Sequence, residues 1–414
     1  MSTWPTVRLG EVTESMKNGI YKPASAYAED GYACLRMYNI GDGKLVWRDI
    51  KRMRLSKNEL SEYRLLPGDL LVNRVNSREL VGKTAVIPEG VEPLVFESKN
   101  IRLRLVPDKA NPKFINYQLL LNGRRHFSTN AQQVVGMASI NQKQLADFPV
   151  MLPLLSVQEE AVAEIEKQFS RLDEAVANLK RVKANLKRYK ASVLKAAVEG
   201  KLAPTERPWK QVVLGDIATS IRNGYSKKPD AEQGTRIFRI SAVRPMKLDV
   251  NDIRYLSGNP ADYQSFLIES GDVLFTRYNG SRDYVGVCAR VPPNLPPTAY
   301  PDKLIRVRVP GAMLLPEFLV ILASTGRARE YIESKIRTTA GQSGISGGDL
   351  KSLPLDIPWV TEQQQIVAEA ERRLSVIGEV EAAVEANLTR ADRLRQSILG
   401  QAFSGKLLFN GAHG

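Results

Sequence analysis

The chain has 414 residues, of which 43% are apolar and 25% charged, a composition that supports two or three packed domains. Its 59 lysines and arginines outnumber 45 aspartates and glutamates, and the net charge of +14 favours a polyanionic partner such as nucleic acid or an anionic membrane surface. Two cysteines and two histidines are too few for an ordinary cysteine and histidine zinc site. No apolar run is long enough to span a membrane, and residues 1–10 lack a secretory segment, so we expect a cytoplasmic protein without membrane contact.

The first segment, up to about residue 155, alternates short apolar and β-branched runs with turns. This pattern predicts a domain of mixed strands and helices. A helix is predicted at residues 112–121, because Asn111 can cap it and Pro112 suits its first turn. The predicted strands lie at residues 33–38, 69–73, 84–87, 101–106 and 148–152.

A long helix is predicted to follow this segment. Ser156-Val157-Gln158-Glu159 fits a capping box, residues 157–199 contain no glycine or proline, and Gly200 supplies a stop. Apolar side chains recur there every seven residues, which is typical of a helix that packs against a partner helix. These positions are Leu172, Leu179, Leu186 and Val193.

The chain contains two copies of one unit. Trp4 returns as Trp209 and Gly200 returns as Gly405, so both motifs recur 205 positions later. The second copy predicts a second mixed domain and a second long helix, which starts with a capping box at Thr361. Gly378 favours a bend in that helix, as does Gly400. Its heptad positions are Ile377, Val384, Ala391 and Ile398.

Two related helices in one chain can pack antiparallel and hold their domains apart. The predicted fold class is therefore α+β, with two mixed domains separated by two long helices that form an antiparallel coiled coil with an internal pseudo-twofold axis. This arrangement predicts that the end of the second copy lies near Trp4. The alternative is that each helix packs only on its own domain.

Polar motifs that occur in both copies are candidates for DNA contact. The Asn18-Gly19 turn matches Asn223-Gly224, and a strand ending in Arg74 matches one ending in Arg277. Arginine and asparagine can pair with guanine and adenine edges from the end of a strand. Residues 132–141 and 337–346 are predicted to be loops that probe a groove. In each case the alternative is a solvated turn or a structural ion pair.

The predicted DNA-binding residues are taken from these three motifs in each copy. In the first copy they are Asn18, Tyr21, Lys22, Arg74, Asn76, Ser77, Arg78, Gln133, Ser139 and Asn141. In the second copy they are Asn223, Tyr225, Lys227, Lys228, Arg277, Asn279, Ser281, Arg282, Arg337, Gln342, Ser343 and Ser346.

Arginines alternate with apolar residues in one strand of each copy. Arg102 and Arg104 recur as Arg306 and Arg308, and alternation places each pair on one face of its strand. We expect this face to be solvated.

The combination of these motifs, all present twice, resembles the DNA-specificity subunits of type I restriction-modification systems. The motifs are the strand-rich domain, the helix start at Thr361-Glu362-Gln363-Gln364, the heptads and the Gly405-Lys406-Leu407 ending. The resemblance covers nearly the whole chain. It implies target recognition domains at residues 1–155 and 204–360, conserved long helices at 156–203 and 361–409, and a tail at 410–414.

In that family, each recognition domain reads half of a split, asymmetric DNA sequence, and the helices set the unread gap. The implied partners are double-stranded DNA, methyltransferase subunits, expected to be two, and motor-nuclease restriction subunits. The implied protein has no catalytic residues, metal or cofactor of its own. The sequence agrees, because Asn294-Leu295-Pro296-Pro297 departs from the Asn-Pro-Pro-aromatic motif of adenine methylation by an inserted leucine. The alternatives are a coiled-coil adaptor that binds protein without reading DNA, a fused modification or cleavage enzyme, and a specificity subunit of a related restriction-modification type.

Overall fold

The computed structural model describes residues 4–134, 136–204, 207–339 and 341–404, with the side chains of 133, 134 and 339 left undescribed. The described residues form two compact units. Unit 1 comprises the described parts of Met1–Leu179 and Ala386–Gly414, and unit 2 comprises those of Lys180–Glu385. Each long helix therefore contributes one segment to each unit.

Unit 1 is built on a four-stranded antiparallel sheet in the order β2-β9-β5-β7. Smaller sheets have the orders β4-β3-β8, β10-β11-β6 and β1-β12. The strands are β1 Thr6–Arg8, β2 Thr13–Asn18, β3 Tyr27–Leu35, β4 Lys51–Met53, β5 Leu70–Asn73, β6 Val75–Asn76, β7 Thr84–Val86, β8 Leu94–Phe96, β9 Asn100–Leu105, β10 Gln132–Val134, β11 Met137–Ser139 and β12 Pro149–Met151. The helices are α1 Lys57–Tyr63, α2 Pro112–Gln118, α3 Arg124–Asn130, α4 Gln142–Ala146 and the long α5 Leu155–Val198.

Unit 2 repeats this topology, with a four-stranded antiparallel sheet in the order β14-β23-β19-β21. The duplication seen in the sequence is thus preserved in strand order. The strands are β13 Lys210–Val213, β14 Ser220–Asn223, β15 Thr235–Phe238, β16 Val243–Arg244, β17 Lys247–Leu248, β18 Ile253–Leu256, β19 Val273–Thr276, β20 Tyr278–Asn279, β21 Cys288–Arg290, β22 Thr298–Ala299, β23 Leu304–Arg308, β24 Arg337–Thr339, β25 Gln342–Gly344 and β26 Pro354–Ile357. The helices are α6 Leu214–Ile217, α7 Pro316–Ser324, α8 Gly326–Lys335, α9 Gly347–Lys351 and the long α10 Val360–Phe403.

Helix α2 begins where the sequence predicts. The Asn111 side chain accepts hydrogen bonds from the backbone N–H groups of Lys113 and Phe114, and Pro112 occupies the first turn. The helix continues through a π-helical segment, Leu119–Gly123, into α3. The core of unit 1 includes Phe114, which is fully buried.

The expectation that the alternating arginines face solvent is wrong for the first of each pair. Arg102 and Arg306 are each 7% exposed. Arg102 donates to the carbonyl of Arg64 at 3.1 Å, and Arg306 donates to that of Leu267 at 2.8 Å. Burial lowers the pKa of Arg102. These cations tie the sheet to neighbouring loops, because burial without such acceptors would be costly.

The second arginine of each pair binds a buried carboxylate. Arg104 forms two hydrogen bonds to Asp69, both 2.8 Å, and Arg308 forms two to Asp272, of 2.7 and 2.9 Å. The aspartate side chains are 1% exposed. Hydrogen bonding to its aspartate raises the pKa of each arginine. The repeated Arg-x-Arg pattern is therefore part of the scaffold.

The long helices begin one residue before the predicted caps, at Leu155 and Val360. Ser156 and Thr361 therefore lie within the first turns, which corrects the capping-box prediction. Gly200, at φ +68°, follows the end of α5, where Lys201 N–H bonds the carbonyl of Ala196 at 2.8 Å. Helix α10 continues through both of its glycines, Gly378 and Gly400.

In each unit, the beginning of one long helix and the end of the other belong to the same core. In unit 1, Leu172 of α5 and Ile398 of α10 are buried in one apolar cluster, and Asp173 forms an ion pair with Arg395. In unit 2, the equivalent cluster contains Leu194 and Ile366.

Six of the eight predicted helix-pair positions are buried, namely Leu172, Val193, Ile377, Val384, Ala391 and Ile398. The other two, Leu179 and Leu186, are half-buried.

The end of α10 lies near Trp4, as the repeat predicts. Phe114 contacts both ends of the chain within unit 1: its ring centroid is 6.1 Å from that of Trp4 and 5.2 Å from that of Phe403. In unit 2, Trp209 has the same relationship to Phe318, with centroids 5.9 Å apart.

Candidate nucleic-acid interface

The segments predicted as loops at residues 132–141 and 337–346 contain β-hairpins. In unit 1, β11 pairs with β6, so that Ser139 lies opposite Val75. In unit 2, β25 pairs with β20, so that Gly344 lies opposite Tyr278. Each hairpin thus extends the segment that follows the repeated strand arginine, and two motifs far apart in sequence form one small sheet.

The Asn-Gly turn packs against a second turn beside this sheet. Ser98 N–H bonds the carbonyl of Ile20 at 2.9 Å, and Asp302 N–H bonds that of Tyr225 at 2.8 Å. A Cβ on Gly224 would lie 2.2 Å from the carbonyl oxygen of Tyr300, so only glycine permits this approach. In unit 1, Gln142, the first residue of α4 after the hairpin, donates to the Asn18 side chain at 3.3 Å.

We call the resulting surface the hairpin edge. In unit 1 it consists of the described residues of 18–22, 74–78, 97–99 and 132–141, and in unit 2 of those of 223–228, 277–282, 301–303 and 337–346.

The strand arginines are held to the hairpin edge by equivalent contacts. Arg74 Nη1 donates to the carbonyl of Ser98 at 3.4 Å, and Arg277 Nη1 donates to that of Asp302 at 3.3 Å. The Nε atoms of both are buried and lack a hydrogen-bond partner within the described residues. A guanidinium has five N–H donors, so these contacts orient the side chain and leave donors for a ligand.

The exposed arginines that follow also contact the scaffold. Arg78 Nε donates to the carbonyl of Ser128 in α3 at 3.3 Å, and Arg282 Nη2 donates to that of Glu333 in α8 at 3.2 Å. Both carbonyls lie near helix C-termini, where cations are favoured. The two copies therefore fix these arginines in the same way.

Several predicted contact residues have a structural role in the unbound chain. Asn141 caps α4 by accepting from Gln144 N–H at 2.8 Å, and Ser346 caps α9 by accepting from Asp349 N–H at 3.1 Å. The ring of Tyr225 packs with its centroid 5.3 Å from that of Tyr263.

Three further candidates form an ion pair or a hydrogen bond within their own unit. Lys22 forms an ion pair with Glu59, and its hydrogen bond lowers the pKa of that glutamate to about 2. Asn76 is buried and donates to Asn73 at 3.0 Å. Ser343 is buried and shares a hydrogen bond of 2.9 Å with Thr338.

The remaining candidates are on or near the surface. Asn18, Ser139 and Asn279 are half-buried. The exposed candidates are Tyr21, Ser77, Asn223, Lys227, Lys228, Ser281, Arg337 and Gln342. The side chain of Gln133 lies outside the described part of the structure.

The predicted DNA-binding residues do not include a lysine that lies in each hairpin edge. The carbonyl of Lys99 accepts from Arg74 N–H at 2.9 Å, and that of Lys303 accepts from Arg277 N–H at 2.8 Å. Neither ammonium forms an ion pair with a described residue. The signal that could have found them is the repeat, since both copies retain this lysine.

The described parts of the chain contain no group of three or more histidine, cysteine, aspartate or glutamate side chains placed to hold a metal ion. None of their helices combines the length and apolarity needed to cross a bilayer.

Comparison with known proteins identifies the family. Residues 1–188 match the model of the type I restriction modification DNA specificity domain. Over 424 aligned residues, the chain is 32% identical to the type I restriction enzyme EcoKI specificity subunit of Escherichia coli (strain K12), covering 98% of this chain and 89% of that protein. The chain belongs to the type I restriction-modification specificity subunits. This specificity subunit is also 26% identical to the StySPI specificity subunit of Salmonella potsdam, with the same coverage.

Solved structures share the fold of this specificity subunit. A chain from a structural study of the assembly and conformational transition of a type I R-M system matches with a TM-score of 0.74 and 18% identity, over 97% of this subunit and 98% of that chain. The HsdS subunit from Thermoanaerobacter tengcongensis matches with a TM-score of 0.56 and 18% identity, over 97% of both chains.

Proposed function

We propose that this specificity subunit reads a split, asymmetric DNA site, with the hairpin edge of each unit reading one half. The observation that supports this is that the two hairpin edges share their backbone pairing and arginine contacts but differ in other side chains. Arg74 and Arg277 have equivalent contacts, whereas Val75 in unit 1 is replaced by Tyr278 in unit 2. Shared polar groups suit backbone phosphates, and differing groups suit different base sequences.

The charge of the subunit supports DNA as the ligand. A net charge of +14 favours a polyanion, and unpaired cations at both hairpin edges can replace counterions on phosphates. The donors of Arg74 and Arg277 lie on strand ends, from which side chains reach into a groove.

We propose further that the subunit supplies recognition and assembly, while chemistry comes from its partners. These partners are methyltransferase subunits, two for the two copies, and restriction subunits. The support is that the relatives are specificity subunits of type I restriction enzymes. The alternative, a coiled-coil adaptor that binds protein without reading DNA, is not favoured. It would leave the positive charge and the two hairpin edges of this subunit without a ligand.

Motif mapping in the assembled system tests this function. The subunit is co-expressed with its methyltransferase subunits in a host that lacks DNA methylation, and modified bases are located by sequencing. We expect one motif of two unequal halves separated by unread positions. Replacing residues of one hairpin edge should change one half only. A continuous motif, or a motif that stays constant when either edge is replaced, would contradict the proposal.

A further inference from the structure

The hairpin edge of unit 2 contains a small recess of about 210 Å³. It is lined by Ile240, Tyr278, Asn279, Gly280, Lys303 and Gln342. Besides the tyrosine hydroxyl, three side chains carry polar ends: the amides of Asn279 and Gln342 and the ammonium of Lys303. The recess therefore combines an aromatic wall with amide groups and one cation, which suits the edge of a base next to a phosphate.

The aromatic wall is fixed in place. A Cβ on Gly344 would lie 2.3 Å from Tyr278 Cδ1, so the ring lies directly over a residue that must be glycine. The Arg277 guanidinium also lies over the ring, 4.6 Å from its centroid. In unit 1, the same paired positions hold Val75 and Ser139, which cannot form this wall.

The two amides differ in their freedom to bind a base. Asn279 Oδ1 accepts a hydrogen bond from Ser281 N–H at 3.0 Å, so its orientation is set by its own turn. Gln342 is exposed, and its amide forms no hydrogen bond with the described residues. A glutamine amide can bind adenine N6 and N7 together, because it offers an acceptor and a donor side by side.

We propose that Gln342 reads an adenine in the half-site of unit 2, with Tyr278 shaping the recess and Lys303 binding the adjoining phosphate. This rests on the proposed function. Unit 1 has Met137 at the position of Gln342, and a thioether cannot make the paired hydrogen bonds. The two units therefore differ in specificity at this position, although both retain the lysine.

The test uses the complete subunit assembled with its methyltransferase subunits. Gln342→Met installs the residue of unit 1 at similar volume. The half-site of unit 2 is the one that changes when unit 2 is exchanged. In that half-site we expect one A·T position to become degenerate, with discrimination against the other base pairs reduced tenfold or more. Binding is measured on duplexes that carry each single base-pair change, and modified sites are mapped by sequencing.

The matched control is Gln233→Met, an exposed glutamine of unit 2 outside the hairpin edge, which should leave the motif unchanged. Lys303→Ala should weaken binding to all sequences alike and leave the motif intact. If Gln342→Met lowers the melting temperature, Gln342→Glu keeps the shape and should still abolish the adenine preference, since a carboxylate cannot donate to N7.

Two results would overturn the inference. One is a Gln342→Met assembly whose half-sites both match the parent motif. The other is lost discrimination at a G·C position, or an equal loss at every position, because neither fits an amide that binds adenine. Failure of the proposed function is distinct from both, since the unaltered subunit would then direct no split motif at all.

Discussion

The side-chain oxygen of Gln158 accepts a hydrogen bond of 2.9 Å from the backbone N–H of Asn111, 47 residues away. Its amide nitrogen donates to the carbonyls of Lys109 and Pro153, at 3.0 and 2.9 Å. One fully buried side chain thus joins the start of α5 to the loop that caps α2.

Gln363 repeats this arrangement at the start of α10. It accepts from Leu315 N–H and donates to the carbonyls of Met313 and Pro358, all at 2.9 Å. Both glutamines are fully buried, so the side-chain atoms that bind these backbone groups are shielded from water.

We expect Gln158→Ala or Gln363→Ala to lower the free energy of unfolding by at least about 3 kcal/mol, since each leaves one N–H and two carbonyls without partners. Denaturant titration measures this loss. The control is Gln168→Ala, whose amide bonds only Glu164 on the same helix and which should cost less than about 1 kcal/mol. Equal losses for Gln158 and Gln168 would mean that the buried amide contributes nothing beyond helix packing.

The buried carboxylate of Asp272 should be more important for stability than an exposed one with similar bonds. Asp272→Asn replaces a carboxylate that is 1% exposed by a neutral amide and leaves Arg308 with only its exposed partner Glu269, so we expect a loss of about 3 kcal/mol or more. Asp30 also forms two bonds to an arginine, Arg54, but both side chains are about two-thirds exposed, so Asp30→Asn should cost far less stability than Asp272→Asn. Thermal unfolding compares the two, and a similar shift for both would refute the distinction.

The Lys22–Glu59 pair predicts a contribution to acid stability. The folded-state pKa of Glu59, about 2, lies below its usual 4.5, so the stabilisation is complete above pH 4.5 and is lost as pH falls towards 2. Between these values Glu59→Gln should flatten the dependence of the melting temperature on pH. Lys22→Met removes the pair but keeps the hydrogen bond of 2.9 Å from Ser56 N–H to Glu59, which also lowers its pKa, so it should flatten the curve less. A Glu59→Gln curve parallel to that of the parent protein would argue against the pair.

Lys99 should contribute one phosphate contact in unit 1. We expect Lys99→Ala to lower the slope of log affinity against log salt by about 1, without changing the motif. Filter binding of the assembled protein to duplex DNA across salt concentrations measures this slope. Lys109→Ala is the control, because Lys109 follows the far end of β9, while Lys99 precedes its start at Asn100. If both variants keep the parent slope, Lys99 does not touch phosphate.

The long helices illustrate what local signals can predict. Helix periodicity, the absence of proline and the glycine stop act within a few residues of each other, so the extent of α5 and its end before Gly200 follow from sequence. The helix starts one residue before the predicted cap, and Gln158 accepts a hydrogen bond from Asn111, a contact between distant residues that no local signal predicts.

The hairpin edge illustrates what local signals miss. The sequence identified the Asn-Gly turn, the strand arginine and the polar segment after it as separate motifs. Their assembly depends on pairings such as Ser139 with Val75, which lie 64 positions apart. Asn141 resembled a groove-probing amide, yet it caps α4, a role visible only once the backbone of that turn is known.

The sequence by itself determined that the chain is duplicated, that its domains are mixed, that its long helices carry heptad stripes and that it is positively charged. Each of these properties follows directly from residue spacing or composition. Only the tertiary structure decided which cations are free to meet DNA. Arg102 and Arg104 look alike in the strand pattern, but one lies under a loop and the other binds Asp69, whereas Lys99 pairs with no described acid. The physical reason is that a cation is paired within the protein when an acidic group or carbonyl lies within a few ångströms of it, and is free to bind a ligand when none does. Those neighbours come from distant parts of the chain.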